Sequence, residues 1–226
     1  MKLSIIVPTL NEASIVAASL AALQPLRARG HEVIVVDGGS SDGTAALAVP
    51  LADRVIAAPR GRASQMNQGA AATAGEALLF LHADTRLPRS ADRLIDQALC
   101  GACCWGRFDV RIEGRSPLLA VVALCMNLRS RLTGIATGDQ AIFATRAAFL
   151  RVGGFPEIAL MEDVAFSQRA KRISLPACLR AAATTSGRRW DRHGVLRTIV
   201  FMWRLRLAHF LGARDDELAR QYSGKT

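Results

Sequence analysis

The sequence predicts an α/β protein whose core is a doubly wound, mostly parallel sheet flanked by helices, and three observations carry that prediction. Short β-type runs alternate with helical runs from Leu3 to Leu81. The β-type runs are apolar without a clean in-out alternation, as strands buried on both faces are. The connections between them are short, as in α/β units.

Taken in order, Leu3 to Thr9 reads as a strand, Ala13 to Leu23 as a helix and Glu32 to Asp37 as a second strand. A helix near Asp42 to Val49, a strand near Arg54 to Ala57, a helix near Ser64 to Ala74 and an apolar strand from Ala77 to Leu81 follow. Further on, a helical run starts at Glu162-Asp163 after a Gly-Gly-Phe-Pro turn and continues through Arg172. Residues 1–190 read as one domain, and 191–226 as a basic amphipathic helical extension packed on it.

Composition narrows the class. The chain has 226 residues, 50% hydrophobic and 21% charged, a balance that excludes bulk disorder and suits one enzyme-sized domain. The longest stretch free of charged residues is the 14 residues from Ala13 to Leu26, short of the roughly 20 a membrane-spanning helix needs. The apolar run after Lys2 meets Pro8, Asn11 and Glu12 before any small-residue cleavage site, so no secretory signal is predicted. The expected location is the cytoplasm, with peripheral contact on the inner face of the plasma membrane as a further expectation. Five cysteines at irregular spacing, Cys100-x-x-Cys103 included, read as structural thiols.

The formal net charge of +10 is an arginine effect, since every basic residue except Lys2, Lys171 and Lys225 is arginine. Seven arginines between Arg188 and Arg214 face one acid, Asp191. Such a stretch suits phosphate-bearing ligands or an anionic membrane surface. Nucleic acid is not the expected partner, because no helix-turn-helix, zinc-finger or RNP pattern accompanies the charge.

Ligands of open α/β sheets lie beyond the carboxyl ends of the strands. Those ends carry Thr9, Asn11 and Glu12 after the first strand, and Asp37-Gly-Gly-Ser-Ser-Asp-Gly after the second. Arg60-Gly-Arg62 follows the third and His82-Ala-Asp84 the fourth. Ser41 and Asp42 are natural helix caps. Asp37 ends an apolar strand with no capping duty and suits a hydrogen bond from a base or ribose. Arg60 and Arg62 precede a helix, where free N–H groups favour a diphosphate; surface arginines are the competing reading. Asp84 suits a magnesium-like cation held by one or two carboxylates plus substrate phosphates, and His82 is either structural or a second ligand. Glu162 and Asp163 either stabilise a helix dipole or supply a general base at Asp163. No G-x-G-x-x-G opens a helix, which counts against a dinucleotide oxidoreductase.

The motifs VPTLNE (from Val7), VVDGGSSDGT (from Val35), GRASQMNQGAAATAG (from Gly61), LFLHADTRLP (from Leu79), GDQAIF (from Gly138), GGFPEIALMEDV (from Gly153) and RRW (from Arg188) stand in family order. Together they resemble the family-2 glycosyltransferases of GT-A fold, in a branch similar to the small bacterial enzymes found with radical-SAM or arsenosugar genes. The resemblance implies a GT-A type sheet, an inverting hexosyltransferase-like activity, and Mg²⁺ or Mn²⁺ as cofactor. It implies a nucleotide-sugar donor, UDP-sugar favoured, and a small-molecule or lipid-linked acceptor. By position, Pro8, Asn11, Glu12 and Asp37 would line the nucleotide pocket, with Arg62 and Asn67 near the diphosphate. Asp84, with His82 in the place of the first acid of D-x-D, would hold the metal. Asp163, beside Glu162, would deprotonate the acceptor. Asp139, Gln140, Arg189 and Trp190 would form the acceptor and diphosphate loop. Ser186 stands where the Gln of Q-x-x-R-W would be, so one sugar per encounter is expected.

From Val195 to Leu211, Leu196, Ile199, Val200, Trp203, Leu207, Phe210 and Leu211 share one helical face, while Phe201 and Leu205 fall on the other. Such a helix needs a second apolar contact, for which membrane surface, a homodimer interface and plain core compete. The rival functions are a sugar nucleotidyltransferase, which lacks its glycine-rich loop after the first strand, and a non-catalytic basic membrane or nucleic-acid adaptor.

Overall fold

The computed structural model describes residues 1–211; Arg214 and the rest of the expected extension, with the side chain of Phe210, lie outside the described residues. The first half runs β1 (Leu3–Thr9), α1 (Ala13–Ala21), α2 (Gln24–Arg27), β2 (Glu32–Asp37), α3 (Thr44–Ala48), β3 (Arg54–Ala57), α4 (Arg62–Ala71) and β4 (Ala77–Phe80). It continues with β5 (Thr85–Arg86), α5 (Ala91–Leu99), β6 (Trp105–Glu113), α6 (Leu118–Thr133), β7 (Phe143–Thr145) and α7 (Arg146–Val152). The last elements are α8 (Glu162–Ala170), β8 (Ala177–Ser186), α9 (Arg188–His193) and α10 (Val195–Phe210). Every strand expected from the sequence is present. The expected first helix, Ala13 to Leu23, ends at Ala21, and a short unexpected helix, α2, follows with Pro25 in its first turn.

The strands form one sheet in the order β3-β2-β1-β4-β7-β6-β8-β5. Strands β3, β2, β1 and β4 are parallel, with Thr9 opposite Asp37 and Asp37 opposite Ala57, so their carboxyl ends finish level. Short β7 enters antiparallel between β4 and β6. Two reversals return β6 and its parallel neighbour β8 to the direction of β4. The ends of β6 and β8 therefore open onto the same edge as those of β1 and β4.

Both sheet faces are buried, and the strand pleat sorts the side chains. Ile5, Val7, Val33, Val35 and Leu79 join one core with Leu20 and Ile95. Ile6, Ile34, Val36, Leu78 and Phe80 join the opposite core with Met66, Phe149, Phe155 and Phe166. Helix α4 lies close on the second face because residue 69 is glycine; a Cβ there would meet Ile6 Cγ2 at 2.4 Å. Buried Arg107 ties α6 to β6, donating from Nε to Ser130 Oγ (2.9 Å), from Nη2 to the Asn127 carbonyl (3.1 Å) and from Nη1 to Asp109.

Helix α10 packs on the body of the protein through its inner face. Leu205 is buried against Leu160 and Met161, with Phe201 and Met202 alongside. Val195 packs with Leu119 and Ala123 of α6, Ile199 alongside.

Candidate functional site

An open cleft of about 860 Å³ lies across the carboxyl ends of β1, β4, β6 and β8. Its floor is Pro8, Thr9 and Gln65; its walls carry Asn11 and Glu12, Arg60 and Arg62, His82 and Asp84, Asp139, Glu162, and Arg188, Arg189 and Trp190. Thr198 and Met202 of α10 close one side. Residues singled out from three of the four strand ends, with Asp139 and Glu162, thus share one cavity with the RRW segment, from stretches about 180 positions apart in the chain.

Asn11, at φ 55°, bends the chain after β1 into a left-handed turn that asparagine tolerates. Its side chain accepts from Ser41 N–H (2.9 Å) and its own N–H donates to Ser40 Oγ (2.8 Å), which joins the two loops that form this end of the cleft. Arg62 is the first residue of α4 and faces the cleft where that helix presents its free N–H groups.

Glu12 and Asp84 share a cation from α9. Arg188 Nη2 lies 3.4 Å from Glu12 Oε2 and 3.9 Å from Asp84 Oδ2. Burial pushes the Glu12 carboxyl up, Arg188 opposes that, and Asp84 adds to it. Asp84 Oδ1 also accepts from Thr85 Oγ1 at 3.4 Å, a long contact. Among the described residues no group of three or more His, Cys, Asp or Glu forms a complete metal cage. One carboxylate in an arginine-lined cleft nevertheless fits a magnesium-like cation, which draws its remaining ligands from substrate phosphates and water.

His82 faces Asp139. Its Nδ1 lies 3.3 Å from Asp139 Oδ1, and its other nitrogen packs so closely on residue 138 that a Cβ there would sit 2.4 Å from Nε2. A side chain at 138 would displace the imidazole from this position. Burial pushes the Asp139 carboxyl up, but His82, Arg62 and Arg189 together bring it below the ordinary value.

Glu162 lines the cleft at 5% exposure, and Met161 just before it holds a left-handed φ of 66°. A bulky residue there is strained, which is characteristic of a backbone forced to present the next side chain. Burial pushes the Glu162 carboxyl up and the charge of Asp163 pushes it further, with Arg62 and His82 opposing. Asp163 stands one layer behind the wall: Oδ2 accepts from Gly138 N–H (2.8 Å) and Oδ1 from Val164 N–H (2.7 Å).

Besides Asp163, three expected site residues stand outside the wall. Asp37 does have turn duty: Oδ2 accepts from the N–H of Gly39 (3.0 Å) and Ser40 (2.8 Å), and Oδ1 from Ser40 Oγ (2.5 Å) and Thr9 Oγ1 (3.2 Å). Burial pushes its carboxyl up, but these donors outweigh it and hold it below the usual range. Asn67 spends its amide on Phe155, donating to the carbonyl (2.8 Å) and accepting from the N–H (2.9 Å), so it clamps the Gly153-Gly154 turn instead of reaching toward the cleft. Gln140 is fully buried, completing a capping box with Thr137 and donating to Asn127 Oδ1 (3.3 Å).

Other residues of the site escaped the sequence reading. Gln65 Nε2 donates to the carbonyls of Thr9 (2.8 Å) and Val36 (2.7 Å), bonding α4 to two strand ends under the cleft. Its cue was a polar residue on the apolar face of a helix. Arg129 of α6 and Arg206 of α10 lie within electrostatic reach of each other and of Asp163 and Asp139. Burial, followed by the charge of Arg206, lowers the Arg129 guanidinium to about 10. Helical spacing alone gives no sign of their convergence.

The class defined so far is an α/β protein with an open cleft at its strand ends, lined by arginines, carboxylates and one candidate metal ligand. Residues 4–112 match the family model of glycosyl transferase family 2. No curated protein matches the chain. TarS of S. aureus, solved with UDP-GlcNAc, superimposes with TM-score 0.66 at 20% identity, covering 82% of this chain and 58% of TarS 1–349. The mannosyltransferase PcManGT from Pyrobaculum calidifontis, solved with GDP-Man and Mn²⁺, gives TM-score 0.65 at 22% identity, covering 93% and 61%. The glucosyl-3-phosphoglycerate synthase from Mycobacterium tuberculosis, solved with Mn²⁺, UDP and glucosyl-3-phosphoglycerate, gives 0.57 at 20%, covering 81% and 70%. These likenesses show the GT-A fold, and this chain spans about three fifths of the length of the first two.

Proposed function

We propose that the protein is an inverting glycosyltransferase that moves a sugar from a nucleoside-diphosphate donor, UDP-sugar favoured, to a hydroxyl of a small or lipid-linked acceptor. The observation that carries this reading is the convergence of Glu12, Arg62, Asp84, Asp139, Glu162 and Arg188 on one cleft at the strand ends of a family-2 domain. TarS and PcManGT, solved with nucleotide sugars, support the choice of donor.

The division of labour follows from charge. The departing nucleoside diphosphate gains negative charge, and Arg62, at a helix N-terminus, with Arg60, Arg188 and Arg189, offers fixed positive charge to it. Asp84 would hold Mg²⁺ or Mn²⁺ against the diphosphate; bound there, the cation neutralises leaving-group charge. The acceptor hydroxyl must lose a proton as it attacks the anomeric carbon, and the adjoining carboxylates Glu162 and Asp163 are the candidates to take it. Glu162 faces the cleft, and its raised proton affinity suits a base; Asp163 fixes the turn that carries Asp139. A single displacement leaves the product inverted. His82 positions Asp139, and Asp37 builds the turn beneath the nucleoside end.

The test is transfer from a panel of nucleotide sugars, followed by Asp163→Asn and Glu162→Gln. Each substitution is expected to cut kcat by about 10²–10⁴ while donor affinity stays within a few-fold. Full turnover in both variants would overturn the assignment of the base.

A further inference from the structure

Two helices keep an apolar face turned outward. On α6, Val121, Leu124, Leu128 and Leu132 recur at three- and four-residue spacing and are 49–85% exposed. On α10, Leu196, Val200, Trp203 and Leu207 do the same at 59–71%. The helices are neighbours: Leu119 and Ala123 of one share a buried cluster with Val195 of the other. Eight large apolar side chains about half or more exposed on two adjacent helices suit a partner surface.

Charge decides which partner. Neither 16-residue helix contains an aspartate or a glutamate, and Arg197 and Arg204 of α10 are exposed at the margins of its apolar face. A second copy applied face to face would bring arginine margins of the same sign together. A bilayer with anionic headgroups accepts both components, the apolar side chains below the headgroups and the guanidinium groups among them, with Trp203 suited to the boundary. Each helix is about 24 Å long by its rise per residue and carries arginines within it. Among the described residues no helix is long and apolar enough to cross a membrane, so the geometry is that of helices lying on a surface.

We infer that the outward faces of α6 and α10 form a docking surface for an anionic lipid bilayer. The reverse side of α10 supplies Thr198 and Met202 to the cleft, so docking sets the cleft beside the lipid surface. The inference stands on these two faces and not on the reaction proposed above.

The experiment is co-sedimentation of the full chain with vesicles of phosphatidylcholine alone and of phosphatidylcholine mixed with phosphatidylglycerol. The expected result is binding to the mixed vesicles that weakens with added salt. Val200→Glu with Trp203→Glu, and separately Leu124→Glu with Leu128→Glu, should each weaken it about tenfold or more. Circular dichroism and UDP affinity of both double variants should match the parent, as expected for exposed positions. Absence of vesicle binding by the parent, or binding indifferent to both double variants, would overturn the inference. So would a dimer in sedimentation velocity that the same substitutions dissolve, which assigns the face to a second copy.

Discussion

At the residue scale the site is built from side chains placed at a cost to the fold. Glu162 is the sharpest case, a carboxyl whose proton affinity is raised by burial and by Asp163. A carboxyl that binds its proton more tightly folded than unfolded subtracts stability wherever it is ionised in the native state, and the penalty fades as pH falls through its folded pKa. Glu162→Gln should therefore raise Tm at neutral pH, by about 2–4 °C for each kcal/mol recovered, with the gain vanishing toward pH ~4. Thermal melts across pH check this; a loss of stability at neutral pH would mean that the carboxylate is satisfied where it lies. Asp37 has the opposite sign. Its carboxyl lies low, so its contribution is present above the ordinary aspartate range and is lost as pH falls below it.

At the element scale, the first half of the fold was legible because its strands are uninterrupted apolar runs, and pleating divides them between two cores. Boundaries were less so. Helix α3 starts at Thr44 instead of Asp42 because Gly43, at φ 86°, turns the chain into it, while the Asp42 carboxylate accepts from the N–H of Thr44 (3.0 Å) and of Ala13 (3.0 Å). The insertion of antiparallel β7 between β4 and β6 was not legible, since a three-residue strand carries no period to read. Motif position located Asn67 and Gln140 near the site without revealing that both turn to the backbone or interior. That distinction is testable. Asn67→Ala strips two hydrogen bonds from Phe155 and should cost about 1–3 kcal/mol in urea unfolding, with UDP affinity unchanged within a few-fold. A selective loss of UDP binding without loss of stability would return Asn67 to the diphosphate.

At the scale of the whole molecule, sheet topology does what local sequence does not announce. Two strand reversals bring the ends of β6 and β8 back beside those of β1 and β4, and with them Thr185, Ser186 and the RRW segment. The charges around the cleft were readable as strand-end residues of the first half, but Arg188 meeting both Glu12 and Asp84 required that closure. The central claim is that these groups together hold a nucleoside diphosphate through a divalent cation. Calorimetric titration of UDP with and without Mn²⁺ tests it most directly. The account predicts binding that strengthens markedly with the metal, loses that dependence in Asp84→Asn, and weakens with or without metal in Arg62→Ala. UDP affinity indifferent to Mn²⁺ and equal in all three proteins would contradict it.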